Sequence, residues 1–409
     1  MLDIQFIREN ADIVKKATKD KGFDDGVIDR LLKVDIERRK LLGEVEGLRA
    51  KRNKLTKDDI EEGKKLKVEL KEQEESLDQL QKDFEELMYK VPNLAADDVK
   101  EGKNETENEV VRKEGTPTKF SFKPKDHLNL GEKLGVIDTE RASKVSGTRF
   151  GYLIGDGALL EMALVNFAFE TLGKEGFTPI IPPVFIKTDS MRKMGYMEHG
   201  GDEQMYVFDK DGLVLVGTSE QSIGPMHMNE IIDVSKPVRY MGFSSCFRRE
   251  AGSYGKDTRG ILRVHQFDKV EMFSFTKSED SEKEHEFLLN LEEKFLQKLG
   301  IPYQVVKMCS GDLGAPAARK YDLEAWIPSE EKYRELTSTS TCTDFQSRRL
   351  NIKYKDGDKS GYVHTLNGTV FAMGRTIIAI LENFQNEDGS VNIPKVLQKW
   401  MGKEKIAKV

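Results

Sequence analysis

Apolar positions in the first quarter of the chain recur at alternating intervals of four and three residues. Leu66, Leu70, Leu77, Leu80, Phe84, Leu87 and Val91 keep that spacing, with only Gln73 polar at its expected place. Leu41, Val45, Leu48 and Leu55 follow the same rule, with Arg52 interrupting. An apolar repeat of this kind is a coiled-coil seam. The phase is lost between Lys57-Asp58-Asp59 and Gly63, so the pattern predicts two helices, about 28–57 and 63–91, folded back on each other as an antiparallel arm. Twenty-odd residues per helix give a reach of roughly 35–40 Å at helical rise.

The grammar changes after Val91-Pro92-Asn93. A polar, acidic linker runs to about Pro117, and from about Phe120 the chain reads as short alternating strands, glycine turns and a few helices. Ala158 to Lys174 is an amphipathic helix following the turn Gly155-Asp156-Gly157, and Gly176 to Pro183 is extended. Asp209-Lys210-Asp211-Gly212 joins two strands as a hairpin. Further helices fall at about 278–299 and 369–385. Strands from distant parts of the chain, with helices between hairpins, imply an α+β domain on a mostly antiparallel sheet. The expected division is 1–105 for the arm-bearing domain and 106–409 for the α+β domain.

One segment of the second domain carries concentrated chemistry. Ser245-Cys246-Phe247-Arg248-Arg249-Glu250 and Arg263-Val264-His265-Gln266-Phe267-Asp268-Lys269-Val270-Glu271 read as strands on either side of the turn Ala251-Gly252-Ser253-Tyr254-Gly255. A hairpin there would bring Arg248, Arg263, Phe267 and Glu271 onto one surface, able to grip phosphate, stack on a base and hold an amine or hydroxyl. No Gly-x-x-x-x-Gly-Lys-Ser/Thr loop is present, nor Gly-x-Gly-x-x-Gly after a strand. Arginines must therefore hold the phosphates of any nucleotide, which suits a fork that stays charged.

Three other clusters are ambiguous singly. Arg375, after Gly374 at the start of an apolar helix, is an anion site or a structural residue. The run from Glu335 through Leu336, Thr337 and Ser338 to Cys342 sets a carboxylate beside hydroxyls, which suits Mg²⁺ or merely a threonine-rich edge strand. Gly217-Thr218-Ser219-Glu220 is an ordinary helix entry or a carboxylate offered to an ammonium group.

Composition narrows the function class. The net charge of −6 excludes a globally basic nucleic-acid binder but not a local basic face. Arg38, Arg39, Arg49, Arg52 and Lys54 crowd the first arm helix, either as solvated surface or as a face for a phosphate backbone. Cys246, Cys309 and Cys342 form no Cys-x-x-Cys pair and the six histidines show no ligand spacing, so neither a disulfide framework nor a structural zinc is expected. With no signal-like N-terminus and no membrane-length apolar run, the expected setting is cytoplasmic, without a membrane.

Together and in this order the clusters resemble the bacterial-type seryl-tRNA synthetase family, a class II aminoacyl-tRNA synthetase. The resemblance runs from Met1-Leu2-Asp3 through the arm and Ser146-Gly147-Thr148-Arg149-Phe150 to Asp388-Gly389-Ser390-Val391-Asn392-Ile393-Pro394. Motif 1 corresponds to Gly176 through Pro183, motif 2 to the Arg248–Glu271 hairpin and motif 3 to the segment ending in Gly374-Arg375. The resemblance implies a class II synthetase catalytic domain, a homodimer joined through motif 1, and an arm that grips tRNA(Ser), with tRNA(Sec) where present. It implies activation of L-serine with ATP to seryl-adenylate, then transfer to the 3′-terminal ribose. Arg248 and Arg375 would be catalytic, on the α- and γ-phosphates, with Arg249 and Arg263 assisting. Phe267 would stack on adenine, Glu250 would meet its amino edge, and Leu336 and Thr337 would line the nucleotide. Glu335 and Ser338 would ligate Mg²⁺. Thr218, Ser219 and Glu220 would take the substrate ammonium, and Arg248 would also reach the serine. Glu271, with Thr369 and Asn367, would read its hydroxyl.

Three departures stand out. Thr337-Ser338-Thr339-Ser340-Thr341-Cys342 replaces a Ser-Ser-Cys-Ser-Asn-Cys-type run, Thr369-Val370 replaces Ser-Gly in motif 3 with Val370 expected to narrow the pocket edge, and the arm is shorter at its tip. Two other readings compete: a paralogue that loads a carrier other than tRNA, and a non-catalytic tRNA-binding scaffold. The first should lack the arm, and the second would tolerate loss of Arg248, Glu271 or Arg375; this chain has all of these.

Overall fold

The computed structural model describes residues 1–56, 58–251 and 259–408. Lys57 at the arm's break, and Gly252 to Gly255 of the expected hairpin turn, lie outside the described residues. The chain divides into two compact units, Met1–Leu94 and Ala95–Val409.

The first unit is all helix: α1 (Ile4–Glu9), α2 (Ala11–Asp20), α3 (Gly26–Arg52) and α4 (Ile60–Lys90). Asp3 opens α1 by accepting a hydrogen bond from the Gln5 amide at 2.8 Å. The arm helices, α3 and α4, have 27 and 31 residues, longer than the apolar repeat alone indicates, which gives about 40 and 46 Å at helical rise. α3 ends at Arg52 rather than at 57, where the seam's own interruption falls. Val45, Leu66 and Leu70 are buried in the seam, and the other apolar seam residues are buried or half-buried.

At the base of the arm Asp35 is nearly inaccessible and takes three arginines: Arg8 at 2.8 Å, Arg38 at 3.0 Å and Arg39 at 3.1 Å. Burial alone would raise its pKa, but Arg8 and then Arg38 hold it below the ordinary aspartate value. Arg38 also reaches Gln81 and lies over the Phe84 ring. The expected phosphate-facing Arg38 is thus built into the helix packing, because a buried carboxylate needs hydrogen-bonded cations. Arg49 pairs with Glu74 in the open, a contact worth about 0–1 kcal/mol that a phosphate could displace. Arg52 and Lys54 are exposed.

The second unit is built on an eight-stranded sheet. Its strands are β1 (Glu109–Glu114), β2 (Thr178–Ile180), β3 (Val238–Phe247), β4 (Gln266–Thr276), β5 (Tyr303–Lys307), β6 (Arg319–Ile327), β7 (Lys332–Thr343) and β8 (His364–Ala372), in the order β1-β5-β6-β7-β8-β4-β3-β2. All neighbours are antiparallel except β2 with β3. Three helices, α5 (Asp156–Lys174), α6 (Ser281–Leu299) and α7 (Met373–Asn383), supply much of the core, with Phe167 of α5, Phe295 of α6 and Phe371 of β8 meeting edge to edge or stacked. The helix expected from 369 begins only at Met373, since Thr369-Val370-Phe371 continues the β8 ladder with β4.

Two irregularities in the ladder shape the opposite face. Between β6 and β7, Leu323 pairs with Thr337 and Glu324 with Glu335, which leaves Leu336 as an extra residue. Between β4 and β8, Val270 pairs with Phe371 and Glu271 with Thr369, which leaves Val370 extra. A bulge re-aims the side chains on either side of it. Val370 is fully buried in the helix-side core, so it does not form the pocket edge as expected.

Among the described residues, no helix is long and apolar enough to cross a membrane.

Candidate active site

The central strands β3, β4, β8 and β7 form the floor of an open cleft with both polar and apolar walls. Arg248, Glu250, Arg263, Phe267, Glu335, Leu336, Thr337, Ser338, Thr369 and Arg375 all line it. Residues scattered over 128 positions of sequence therefore meet in one place. Sequence spacing also misplaced some details. The strands end at Phe247 and begin at Gln266, so Arg248 and Arg263 project from the mouth of the hairpin, not from its ladder. The bulge at Leu336 lets Glu335 and Ser338, three residues apart, face the same cleft.

Arg248 is fixed from two sides. Its amide donates to the His265 carbonyl at 3.0 Å, and its Nε donates to the Gly217 carbonyl at 3.2 Å. Its guanidinium carbon lies 5.3 Å from the centre of the Phe267 ring. Arg375 sits in the first turn of α7, 3.0 Å from Glu335 Oε2, and also donates to the Glu335 carbonyl. Gly374 before it touches Ile261 so closely that a Cβ would come within 2.7 Å of the Ile261 carbonyl oxygen. Burial pushes the Glu335 carboxyl up, but Arg375, then Lys320 and Arg248, outweigh it and hold the group at about 2. Glu335 is therefore an ionised oxygen donor at neutral pH. Arg263 faces Glu250 at 3.4 Å. Arg249 turns away, exposed, over the Tyr206 ring, and is not part of the cleft wall.

A second group of residues is buried beside the cleft. Glu220 opens the short helix Glu220–Ile223, and Tyr196 donates a hydrogen bond to its carboxylate. Burial and the nearby Glu271 raise the Glu220 carboxyl to about 7, against Lys269 and Arg248. The helix entry gains no side-chain cap: Ser219 makes no capping bond, and among the described residues the buried hydroxyls of Thr218 and Ser219 have no hydrogen-bond partner. A buried hydroxyl left unpaired is unfavourable, so Thr218 beside Glu220 is suited to an incoming polar group. Glu271 on β4 is paired with Lys269, and Thr369 donates to its Oε2 at 3.3 Å. Asn367 stands two residues before Thr369 on β8, on the same face.

Four residues given no role above also belong here. Tyr196 and Lys269 hold the two carboxylates just described. Lys320 and Asp322, 3.2 Å apart on β6, face the Glu335 end, and Asp322 is pushed to about 7 by burial and Glu335 against the pull of Lys320. Only Lys269 had a visible signal, its place between Asp268 and Glu271; Lys320 and Asp322 arrive by strand pairing, and Tyr196 comes from the turn after the helix Thr188–Met194.

An antiparallel sheet with helices behind it, and an open cleft walled by arginines in front, is the core of a class II aminoacyl-tRNA synthetase. Residues 206–384 match the family model described as tRNA synthetase class II core domain (G, H, P, S and T), and residues 1–95 match that of the seryl-tRNA synthetase N-terminal domain. The chain is 47% identical to a serine–tRNA ligase of Thermobifida fusca, over 99% of this chain and 98% of that protein. It is 46% identical to one of Streptomyces coelicolor, over 98% of each. A seryl-tRNA synthetase of Pyrococcus horikoshii complexed with ATP superposes with a TM-score of 0.94 at 40% identity, covering all of both chains. A serine–tRNA ligase of Naegleria fowleri in complex with AMP gives 0.89 at 36%, over 100% of this chain and 99% of that one. The chain belongs to the seryl-tRNA synthetase family.

Proposed function

We propose that this cleft activates L-serine with ATP and that the protein then charges tRNA(Ser), and tRNA(Sec) where present, as a serine–tRNA ligase. The observation that carries the site assignment is the meeting of Arg248, Phe267, Glu335 and Arg375 around one cleft with the Glu220 and Glu271 carboxylates beside it. In this reading Arg248 clamps the α-phosphate, Phe267 stacks on the adenine, Arg375 takes the γ-phosphate with Arg263 at the loop, and Glu250 meets the adenine edge. Leu336 and Thr337 line the nucleotide. Arg249 has no direct part, since it faces away from the cleft.

The serine carboxylate is already a nucleophile, so no protein base is required. What the protein contributes is alignment and fixed positive charge around the α-phosphorus. Arg248, tied to the Gly217 carbonyl, is pre-set between the amino-acid pocket and the nucleotide. The ionised Glu335 carboxylate and the Ser338 hydroxyl are hard oxygen donors on one wall and fit Mg²⁺ bound with ATP. The metal's contribution would be to neutralise phosphate charge. Thr218, Ser219 and Glu220 receive the ammonium group, and Glu271, Thr369 and Asn367 read the side-chain hydroxyl. Pyrophosphate leaves, and the terminal ribose hydroxyl of tRNA attacks the acyl carbon.

We assign tRNA binding to the first unit, through Arg39, Arg49 and Arg52 on α3 and Lys54 just past its end, with Arg38 holding the helices beneath them. The division into an N-terminal tRNA-binding domain, 1–105, and a catalytic domain, 106–409, is proposed on the same ground. Homodimerisation is supported by apolar side chains that stand in solvent on one protomer: Leu159 and Met162 on α5, and Ile181 after β2, which is 74% exposed. A cytoplasmic setting fits three free, buried cysteines.

Serine-dependent ATP–pyrophosphate exchange tests the site. Arg248→Ala or Arg375→Ala should each lower it by about 10²–10³-fold or more; undiminished exchange in either variant removes that arginine from the phosphate site. The pH profile tests the ammonium group. A carboxyl raised to about 7 is ionised above that pH, so kcat/KM for serine should fall as pH drops through about 7, and Glu220→Gln should lose that limb along with affinity for serine. A limb that persists in Glu220→Gln belongs to another group. Deleting 30–90 should spare exchange and greatly weaken tRNA charging; full charging would mean the arm does not read tRNA.

A further inference from the structure

The reading above leaves a buried cation unused. Lys269 is almost inaccessible, and its ammonium pairs with an equally buried Glu271 two residues along β4, on the same face of the strand. The same ammonium lies 3.4 Å from Thr369 Oγ1, which stands across the ladder from Glu271. Thr369 in turn donates its hydroxyl hydrogen to Glu271 Oε2 at 3.3 Å. The three groups close a triangle in which both contacts to Glu271 fall on one carboxylate oxygen, Oε2. Among the described residues no hydrogen bond reaches the other oxygen, Oε1. The hydrogen of Thr369 is committed, so what the pocket end offers is an acceptor.

That acceptor stands in a crowded field. Glu220 faces Glu271 from its short helix and Glu292 faces it from α6, and each of the two is made harder to ionise by burial and by Glu271. Tyr196 and Cys246 also feel its charge. Arg248 offsets Glu220, and Lys269 acts on Glu220, Glu292 and Glu271 alike, but among the described residues only Lys269 is in ion-pair contact with Glu271.

We propose that Lys269 is a positioning residue that sets the amino-acid choice of the pocket: by pairing with Oε2 of Glu271, alongside Thr369, it fixes that carboxylate in place with Oε1 left for the substrate, so the pocket demands a side chain that donates a hydrogen. The inference rests on the assignment of Glu271 to the substrate side chain. An alanine would leave a buried, desolvated Oε1 unpaired, whereas a hydroxyl satisfies it, and sites built this way reject the analogue lacking the hydroxyl by about 10⁴–10⁵-fold. Because Lys269 also borders the nucleotide cleft, a direct contact with phosphate is the competing role.

The test is ATP–pyrophosphate exchange by the full-length enzyme carrying Lys269→Met, with serine and with alanine, at varied ATP. Expected is a fall in kcat/KM for serine of about 100-fold or more, with alanine changed by less than about 3-fold and the KM for ATP within about 3-fold, since only a discriminating contact is lost. Lys269→Arg, which keeps a cation within reach of Glu271, should recover part of the preference. An unchanged serine-to-alanine preference overturns the proposal. So does an equal loss for both amino acids with a raised KM for ATP, which would place the lysine on phosphate. If thermal melting shows Lys269→Met unfolded, Lys269→Gln carries the same test. Glu271→Gln separates the two layers. Serine preference retained there defeats the pocket assignment itself, whereas preference lost there and kept in Lys269→Met defeats only the role of the lysine.

Discussion

Buried charge is what the catalytic unit is organised around. Glu271 and Asp322 on the central sheet, Glu220 on its short helix and Glu292 on α6 are all withdrawn from water, and each would be costly to ionise alone. The structure does not spread the compensation evenly. Arg375 and Lys320 hold Glu335 firmly ionised, while Asp322 and Glu220 rest near neutrality and Glu292 is pushed far toward its neutral form. The same region thus presents carboxyls of quite different character a few ångströms apart. A site that must hold a triphosphate, an ammonium group and a hydroxyl needs that variety.

The antiparallel ladder makes this placement possible. Strand pairing sets Glu271 opposite Thr369 and Asp322 opposite Ser338, so cross-strand neighbours become chemical partners. The extra residues Leu336 and Val370 adjust which side chains face the cleft. Glycine is required where elements touch: a Cβ at Gly368 would sit 2.9 Å from Glu292 Oε1, so the acidic residue on α6 and the glycine on β8 constrain each other. Thr337, one strand over, donates to the other oxygen of Glu292 at 2.8 Å. Threonine in place of the family's usual serine at 337 therefore keeps the hydroxyl that Glu292 takes.

Much of this was legible in the sequence, and the failures have physical causes. The seam of Leu66 to Val91 displayed the arm because a coiled coil is a local pattern. The two-residue alternation displayed β3 and β4 for the same reason. Helix α7 was read four residues too early, because an apolar run such as Thr369-Val370-Phe371 does not reveal whether it will pair with β4. The basic residues of α3 looked equivalent; burial of Asp35 separates Arg38 from Arg52, and depth is not written in charge. The absence of a Thr218 or Ser219 cap, and the arrival of Tyr196 on Glu220, depend on contacts made after the chain has folded.

The most direct test is a crystal structure of the enzyme with a non-hydrolysable seryl-adenylate analogue. The seryl hydroxyl should lie within hydrogen-bond distance of Glu271 Oε1, the ammonium should meet Glu220 and Thr218, and the phosphate surrogate should contact Arg248, with Lys269 still on Glu271 Oε2. A hydroxyl turned away from Glu271, or Lys269 released from it onto the phosphate surrogate, would contradict the arrangement described above.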